Sequence, residues 1–430
     1  MSKSLKEFID KLRSLGLIAE HGEALSDVYE VTKVLWGDDD KELTSLFRVK
    51  GKERFLCVGN LVNSRRKVMT ALGVPDIVSA YRMFIEAETK RGKLREVGFS
   101  DYFKRTDLTL SKLPAIKFYE GDGGRYITSA IFISRSLDGV LNASIHRVMI
   151  IDENKAAVRV VPRHLYRMYL ERVKRGEDLP VAVVIGVHPA VMLASAFSPP
   201  YGVFELEIAS LFLNGLDVVR TPKHDLPIPA HASVVIEGYL SRERVKEGPF
   251  VDLLMTYDEV RMEPVFVAES IYINKQSNLF HVILPGGREH QILMGFPREA
   301  AIWYSVSKVV PKVKAVRLTY GGSGWLHAVI AIEKNVDGDA KNAILAAFAA
   351  HPSLKHVVVV DTDIDVDNPH DVEWAIATRA QASKDLIIIK SARGSSLDPS
   401  AFKGITDKIG IDATAPIADR ERYIKAKIPK

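Results

Sequence analysis

The sequence has one cysteine in 430 residues, Cys57. A lone thiol can close no intrachain disulfide and build no thiolate zinc site. A reducing compartment is therefore expected, and any cofactor must be held by nitrogen and oxygen. No apolar run reaches the roughly 18 residues of a spanning helix, so no membrane partner is expected. Acids and bases are interspersed, and 59 Lys+Arg against 54 Asp+Glu leave a net charge of only +5. No basic stripe with interleaved aromatics is present, so no nucleic-acid partner is expected either. Also missing are a GxxxxGK[ST] phosphate loop, a GxSxG elbow and an HExxH pair. GDGG at 121–124 lacks the spacing and the following helix of a dinucleotide fingerprint. Asp361, Asp363, Asp365 and Asp367 alternate like the start of a calcium loop. Val366 and Val372 stand where such a loop needs glycine and glutamate. The N-terminus MSKSLKEFIDKLRSLG has no apolar core and does not read as a signal peptide. These absences together point to a soluble, cytoplasmic protein.

What is present is a chain long enough for two or three domains, with 47% apolar and 26% charged residues, values that exclude disorder as its main content. Residues 3–15 carry Leu5, Phe8, Ile9 and Leu12 on one helical face. FLCVGNLVNSRRKVMTALGV (55–74) reads as a strand, a turn and a helix, with Asn63 or Ser64 as N-cap. From 116 to about 295 short β-rich runs alternate with turns, and Asp138-Gly139 marks a hairpin. VAVVIGVHPAVMLASAF (181–197) reads as a strand, a turn and a helix, and SVVIEGYL (233–240) as a further strand. Residues 297–313 read as a linking helix, and strands then alternate with helices to about 410. The fold class is α/β (α+β), in four regions: an N-terminal α/β segment 1–115, a mostly β domain 116–295, a linking helix 296–314 and a C-terminal α/β domain 315–430.

Two constellations could carry chemistry. Asn142, His164 and Glu205 are an oxygen, nitrogen and oxygen set suited to Mg2+ or Mn2+, above all when phosphate oxygens complete the shell. Residues so far apart in sequence are equally compatible with unrelated roles. EGPFVD (247–252) pairs Glu247 with Asp252 around a Gly-Pro turn. Close carboxylates split their titrations and leave one as a proton donor. Arg147 could hold a carboxylate by a bidentate pair, and a solvated surface turn is the plain alternative.

In order, NASIHRVM (142–149), PRHL (162–165), VHPAVMLASAFSPPYGVFELE (187–207), IEGYL (236–240) and EGPFVD resemble the UbiD family of decarboxylases. VGNLVNSRRKVMTALGV, DTDIDVDNPHDVEWAIATR and KIGIDATAP resemble its N- and C-terminal signatures, so the likeness covers nearly the whole chain. The resemblance implies a central split-barrel flavin domain and a C-terminal domain that makes homodimers or hexamers stacked from them; the apolar helix AILAAFAAH (343–351) either joins that interface or simply covers its own sheet. It implies prenylated FMN, made by a flavin prenyltransferase, with Mn2+ (or Mg2+) and K+ at its phosphate.

By motif position the divalent ligands fall on Asn142, His164 and Glu205. The potassium shell falls on Ala143, Ala194, Ser195, Phe197 and Glu205, with Arg379 facing the phosphate and ions. Ser144, Ile145, His146 and Arg147 are expected to line the flavin, with Thr128 or Ser129 approaching from the preceding strand. Arg163 and Ala196 complete the cofactor set. The catalytic network falls on Arg147, Glu247 and Asp252, with Asp252 as the acid–base group. His146 and Phe197 depart from the family, standing where a small residue and a methionine are common. The length and the IDATAP ending resemble the archaeal branch. They imply a carboxy-lyase acting on an α,β-unsaturated acid, trans-anhydromevalonate 5-phosphate, to give isopentenyl phosphate and CO2 for isoprenoid synthesis. Lys223, His224, Arg288 and His290 are candidate phosphate contacts. An aromatic acid of the 4-hydroxybenzoate type is the alternative substrate, and a non-catalytic flavin-binding protein the alternative of another class.

Overall fold

The protein was analysed as a computed structural model that describes residues 3–426 and forms two compact units, Met1–Leu293 and Met294–Lys430. The heart of the first unit is a closed antiparallel barrel. In chain order its strands are Tyr126–Arg135, Leu141–Ile150, Lys155–Val158, Leu179–Ile185, Val234–Glu247 and Arg261–Asn274. Around the ring the Val234 strand pairs with the Leu179 strand, which pairs with the Tyr126 strand, then the Leu141, Lys155 and Arg261 strands, and the Arg261 strand returns to the Val234 strand. Alternate side chains point inward, and Phe132, Val183, Ile236 and Phe266 belong to one buried cluster. Closure depends on Gly238, at a register shift in the last pairing. A Cβ there would lie 2.1 Å from the Val267 carbonyl oxygen, so only glycine lets the two strands meet.

The turn at Asp138-Gly139 joins the Tyr126 and Leu141 strands, with Gly139 at φ +89°, as a hairpin there requires. The helix Leu5–Ser14 opens with a Ser4/Glu7 capping box and buries the four expected apolar residues. In the 55–74 segment, strand Leu56–Gly59 and helix Arg65–Leu72 are as read. Ser64 occupies the cap position without a side-chain cap bond. Asn63 is turned elsewhere, donating to Asp39 Oδ1 at 2.9 Å and accepting from the buried Lys67 Nζ at 2.7 Å.

The N-terminal region and the β domain, expected as separate, share one unit because their strands pair. Strand Leu56–Gly59 lies parallel to Leu279–His281, Phe103–Thr106 extends the Arg261 strand, and Leu94–Glu96 pairs with Leu216–Arg220. The linking helix runs over Arg288–Ser307, earlier than expected at both ends. It begins directly after the Gly286-Gly287 turn, and by Lys312 the chain is already a strand.

The second unit is a five-stranded sheet in the order Lys312–Leu318, His327–Glu333, His356–Asp361, Ile405–Ala413, Leu386–Arg393. The Ile405–Ala413 strand was read only as a motif. The helix Asp339–Ala350 packs against this sheet and buries Ala343, Ile344, Ala347 and Phe348 in the unit's own core. Its inward apolar face is covered by its own sheet, while Leu345 on the same helix is exposed.

Buried and half-buried imidazoles weaken the fold in acid. Burial pushes His188 down to about 3, His327 to about 4 and His351 to about 3. In the unfolded chain each takes a proton near pH 6.5. Between those limits the unfolded state binds more protons, so stability present above pH 6.5 is lost as pH falls towards 4. Chemical denaturation should show midpoints declining from pH 6.5 to 4.5, and His351→Gln should reduce that slope by about one proton.

Candidate active site

The barrel brings Arg147, Glu247 and Asp252 together. Arg147 lies near the end of the Leu141 strand, and Glu247 ends the Val234 strand. After Glu247 the chain turns through Gly248, at φ +96°, into a short hairpin in which Phe250–Val251 pairs with Tyr257–Asp258. The Arg147 guanidinium meets Glu247 in a two-pronged pair, Nε to Oε1 and Nη2 to Oε2, each at 2.8 Å. Nη1 donates to Asp252 Oδ2 at 3.2 Å. Its other face stacks on Phe250, 4.6 Å from the ring centroid. Glu247 is fully buried, whereas the Asp252 side chain is 24% exposed. Asp252 Oδ1 is fixed by the Leu253 N–H at 2.6 Å, so its carboxylate is oriented yet open on one side.

A third acid was missed. Asp258 Oδ2 accepts from Arg147 Nη2 at 3.0 Å, and Oδ1 accepts from Arg261 at 3.1 Å. Burial alone would raise its pKa, but Arg147 and Arg261 outweigh burial and hold it below the usual carboxylate value. The signal was available: two short β-runs, FV and YD, flank DLLMT, and the hairpin pairs Phe250 with Asp258. His290 belongs to the same surroundings. Burial and the nearby Arg147 push its pKa down, against the opposing pull of Asp252, and its Nδ1 accepts from the Gly286 N–H at 3.2 Å.

The second constellation is partly assembled. Asn142 Nδ2 donates to Glu205 Oε1 at 2.8 Å, and the Ala143 N–H donates to Oε2 at 2.6 Å. Glu205 is 2% exposed at the start of the helix Glu205–Leu213. Among the described residues no basic side chain pairs with it. Burial, only partly offset by the Ala143 N–H, lifts it to about 8. A buried carboxylate in that state calls for a proton or a cation. Ser195 is also buried, and its hydroxyl has no partner. These oxygens fit a hard cation with phosphate oxygens completing the shell. No three His, Cys, Asp or Glu side chains gather as a metal site among the described residues, so the asparagine oxygen is essential to such a reading. His164 does not join the pair by any hydrogen bond. It begins the helix His164–Lys174, and its ring stands edge-on to Tyr201 at 5.5 Å.

The expected flavin-lining residues divide by strand alternation. Ser144 Oγ lies 3.0 Å from Asn142 Oδ1 and 2.8 Å from His146 Nε2, so residues 142, 144 and 146 share one face. Ala143, Ile145 and Arg147 take the other, and Ser144 to Arg147 therefore do not line one surface. The Thr128 and Ser129 hydroxyls, at a register shift, donate to the Ile283 and His281 carbonyls. Arg163 donates to Ser198 Oγ at 2.6 Å. Ala194 is buried in the helix Pro189–Phe197, which also carries Ser195 and Ala196, and Phe197 at its end packs edge-on to Phe84 at 5.5 Å. Lys223 and His224 both bind Glu269, which accounts for them without a ligand. Arg379 belongs to the second unit, where its Nη atoms donate to Asp361, Asp363 and the Tyr423 carbonyl.

With this geometry in view, the comparisons identify the family. Residues 91–288 match the 3-octaprenyl-4-hydroxybenzoate carboxy-lyase Rift-related domain, and 291–413 match the C-terminal domain of the same carboxy-lyases. The chain belongs to the UbiD family of decarboxylases. It is 48% identical over 427 residues to the anhydromevalonate phosphate decarboxylase of Aeropyrum pernix, covering 99% of this chain and 96% of that one. It is 43% identical to the enzyme of that name from Methanothermobacter thermautotrophicus, covering 97% and 98%. Among solved structures it is similar to the UbiD-class enzyme HmfF from Pelotomaculum thermopropionicum in complex with FMN. The TM-score is 0.94 at 39% identity, covering 99% of this chain and 97% of that one. An evolved dimeric form of that enzyme in complex with prFMN matches with a TM-score of 0.90 at 36% identity, covering 100% and 97%.

The burial difference between the two acids is measurable. Glu247→Ala leaves the Arg147 charge buried without its two-pronged partner and should cost about 3–5 kcal/mol in urea unfolding. Asp252→Ala, removing a part-exposed single bond, should cost about 1 kcal/mol or less.

Proposed function

We propose that the protein decarboxylates trans-anhydromevalonate 5-phosphate to isopentenyl phosphate and CO2, using prenylated FMN supplied by a flavin prenyltransferase. The observation that carries this reading is the Arg147, Glu247 and Asp252 cluster, complete in a chain that is similar over nearly its whole length to decarboxylases of that substrate. The flavin phosphate would be held through Mn2+ or Mg2+ and K+ at Asn142, His164 and Glu205. Exposed Ile388 and Ile405, on neighbouring outer strands of the second unit, support a homodimer.

When bound, prenylated FMN supplies the electron sink for the carbon that loses CO2. The chain's own residues orient the acid and move one proton. Three guanidiniums (Arg147, Arg159, Arg261) pair with Glu247, Asp252, Asp258, Glu259 and Glu263, so carboxylates outnumber them. That excess gives the cluster room for an exchangeable proton. Asp252 is the candidate to carry it, because its carboxylate is fixed by Arg147 and Leu253 and is open on one side. Glu247 keeps Arg147 charged and in plane. Asp258 holds the guanidinium from the other edge. Arg288, which pairs with Asp40 at 3.2 Å, is a candidate contact for the substrate phosphate.

The test is CO2 release from a panel of acids by protein co-expressed with a flavin prenyltransferase. Anhydromevalonate phosphate should be turned over in preference to 4-hydroxybenzoate; the reverse order moves the reading to an aromatic acid, and no release from any acid to a non-catalytic flavoprotein. Asp252→Asn should retain the flavin and lower turnover by roughly 10²–10⁴. A wild-type rate in that variant would sink the assignment of the proton donor.

A further inference from the structure

On the strand face that carries Asn142, Ser144 and His146, the protons can be counted. The Arg159 carbonyl oxygen, 2.9 Å from His146 Nδ1, can only accept, so that nitrogen bears a proton. His146 is 7% exposed and edge-on to Phe132 at 5.6 Å, with no acid among its hydrogen-bond partners. Burial, despite the Arg159 carbonyl, pushes it down to about 4, so the ring is neutral near pH 7. Its Nε2 is then a lone pair and accepts from Ser144 Oγ, 2.8 Å away. Ser144 has one hydroxyl proton, and His146 takes it. The Ser144 oxygen therefore has nothing to donate to Asn142 Oδ1, although the two lie 3.0 Å apart. The other end of that amide is committed, because Nδ2 donates to Glu205 Oε1. The result is two oxygens, Asn142 Oδ1 and Ser144 Oγ, 3.0 Å apart with lone pairs facing and no proton between them. A cation relieves that crowding.

We propose that His146 is a positioning residue: by drawing away the Ser144 proton it leaves the Asn142 amide oxygen open as a cation ligand. The proposal rests on the reading of Asn142 and Glu205 as the ion site. It gives a role to a histidine that stands where the family commonly has a small residue. With His146 unable to accept, the Ser144 hydroxyl turns to Asn142 Oδ1 and competes with the ion.

The test measures Mn2+ affinity of the purified protein in the presence of FMN, by the electron paramagnetic resonance of free Mn2+, without any turnover. His146→Leu, which keeps bulk but cannot accept, should weaken Mn2+ binding by about 10- to 100-fold, the usual effect of losing a group that orients a metal ligand. Adding Ser144→Ala to it removes the competing proton and should return the affinity to within about threefold of the parent. His146→Leu binding Mn2+ like the parent overturns the proposal. So does a loss that Ser144→Ala fails to rescue, since a packing defect would not be cured by deleting a hydroxyl. A parent protein that takes up no Mn2+ with FMN overturns the ion-site reading and this proposal together. Nitrogen-15 histidine labelling needs no variant: His146 should show the Nδ1-protonated neutral form at pH 7, and a Nδ1 without a proton overturns the proposal even where the variants fail to fold.

Discussion

A guanidinium that is only 9% exposed must have counter-charge within reach, and Arg147 organises the first unit around that requirement. Leaving such a charge unpaired would cost several kcal/mol, more than most single contacts contribute. Glu247, Asp252 and Asp258 are the answer, and supplying them takes the end of one long barrel strand and the loop and second strand of a short hairpin. Barrel closure is therefore tied to this ion-pair cluster. If the Val234 and Arg261 strands did not meet at Gly238, the hairpin between them would have no fixed place beside Arg147.

The Leu141 strand joins two polar systems because a β-strand has two faces. Arg147 reaches the acid–base cluster from one of them. From the other, Asn142, Ser144 and His146 form a polar row that ends at Glu205 and the Arg159 carbonyl. Arg159 touches both systems, since its side chain pairs with Glu263 and approaches Asp258. A shift of register by one residue would exchange the two sets, so register in this strand is under unusually tight constraint.

Local signals were legible in the sequence, and long-range ones were not. The periodicity of residues 5–12, the Asp138-Gly139 turn and the ordered motifs at 142–149 and 247–252 identified elements that the fold contains. Asp258 escaped because its partner is 111 residues away and only the small hairpin brings it near. The linking helix was read late, at Pro297, because proline is a common first residue of a helix. Arg379 matched a motif but lies among aspartates, and a charge so placed is satisfied locally. The division of residues 144–147 between two faces follows from strand geometry and could have been deduced before any coordinates.

The parallel pairing of Leu56–Gly59 with Leu279–His281 also governs how the chain comes into being. During synthesis the early strands can form three members of their sheet, but the fourth does not exist until residue 281 has emerged. Until then one edge of a short apolar strand offers unpaired amides to any neighbouring nascent chain. All six barrel strands lie between, so the N-terminal sheet gains its last strand only after the whole barrel has been synthesised.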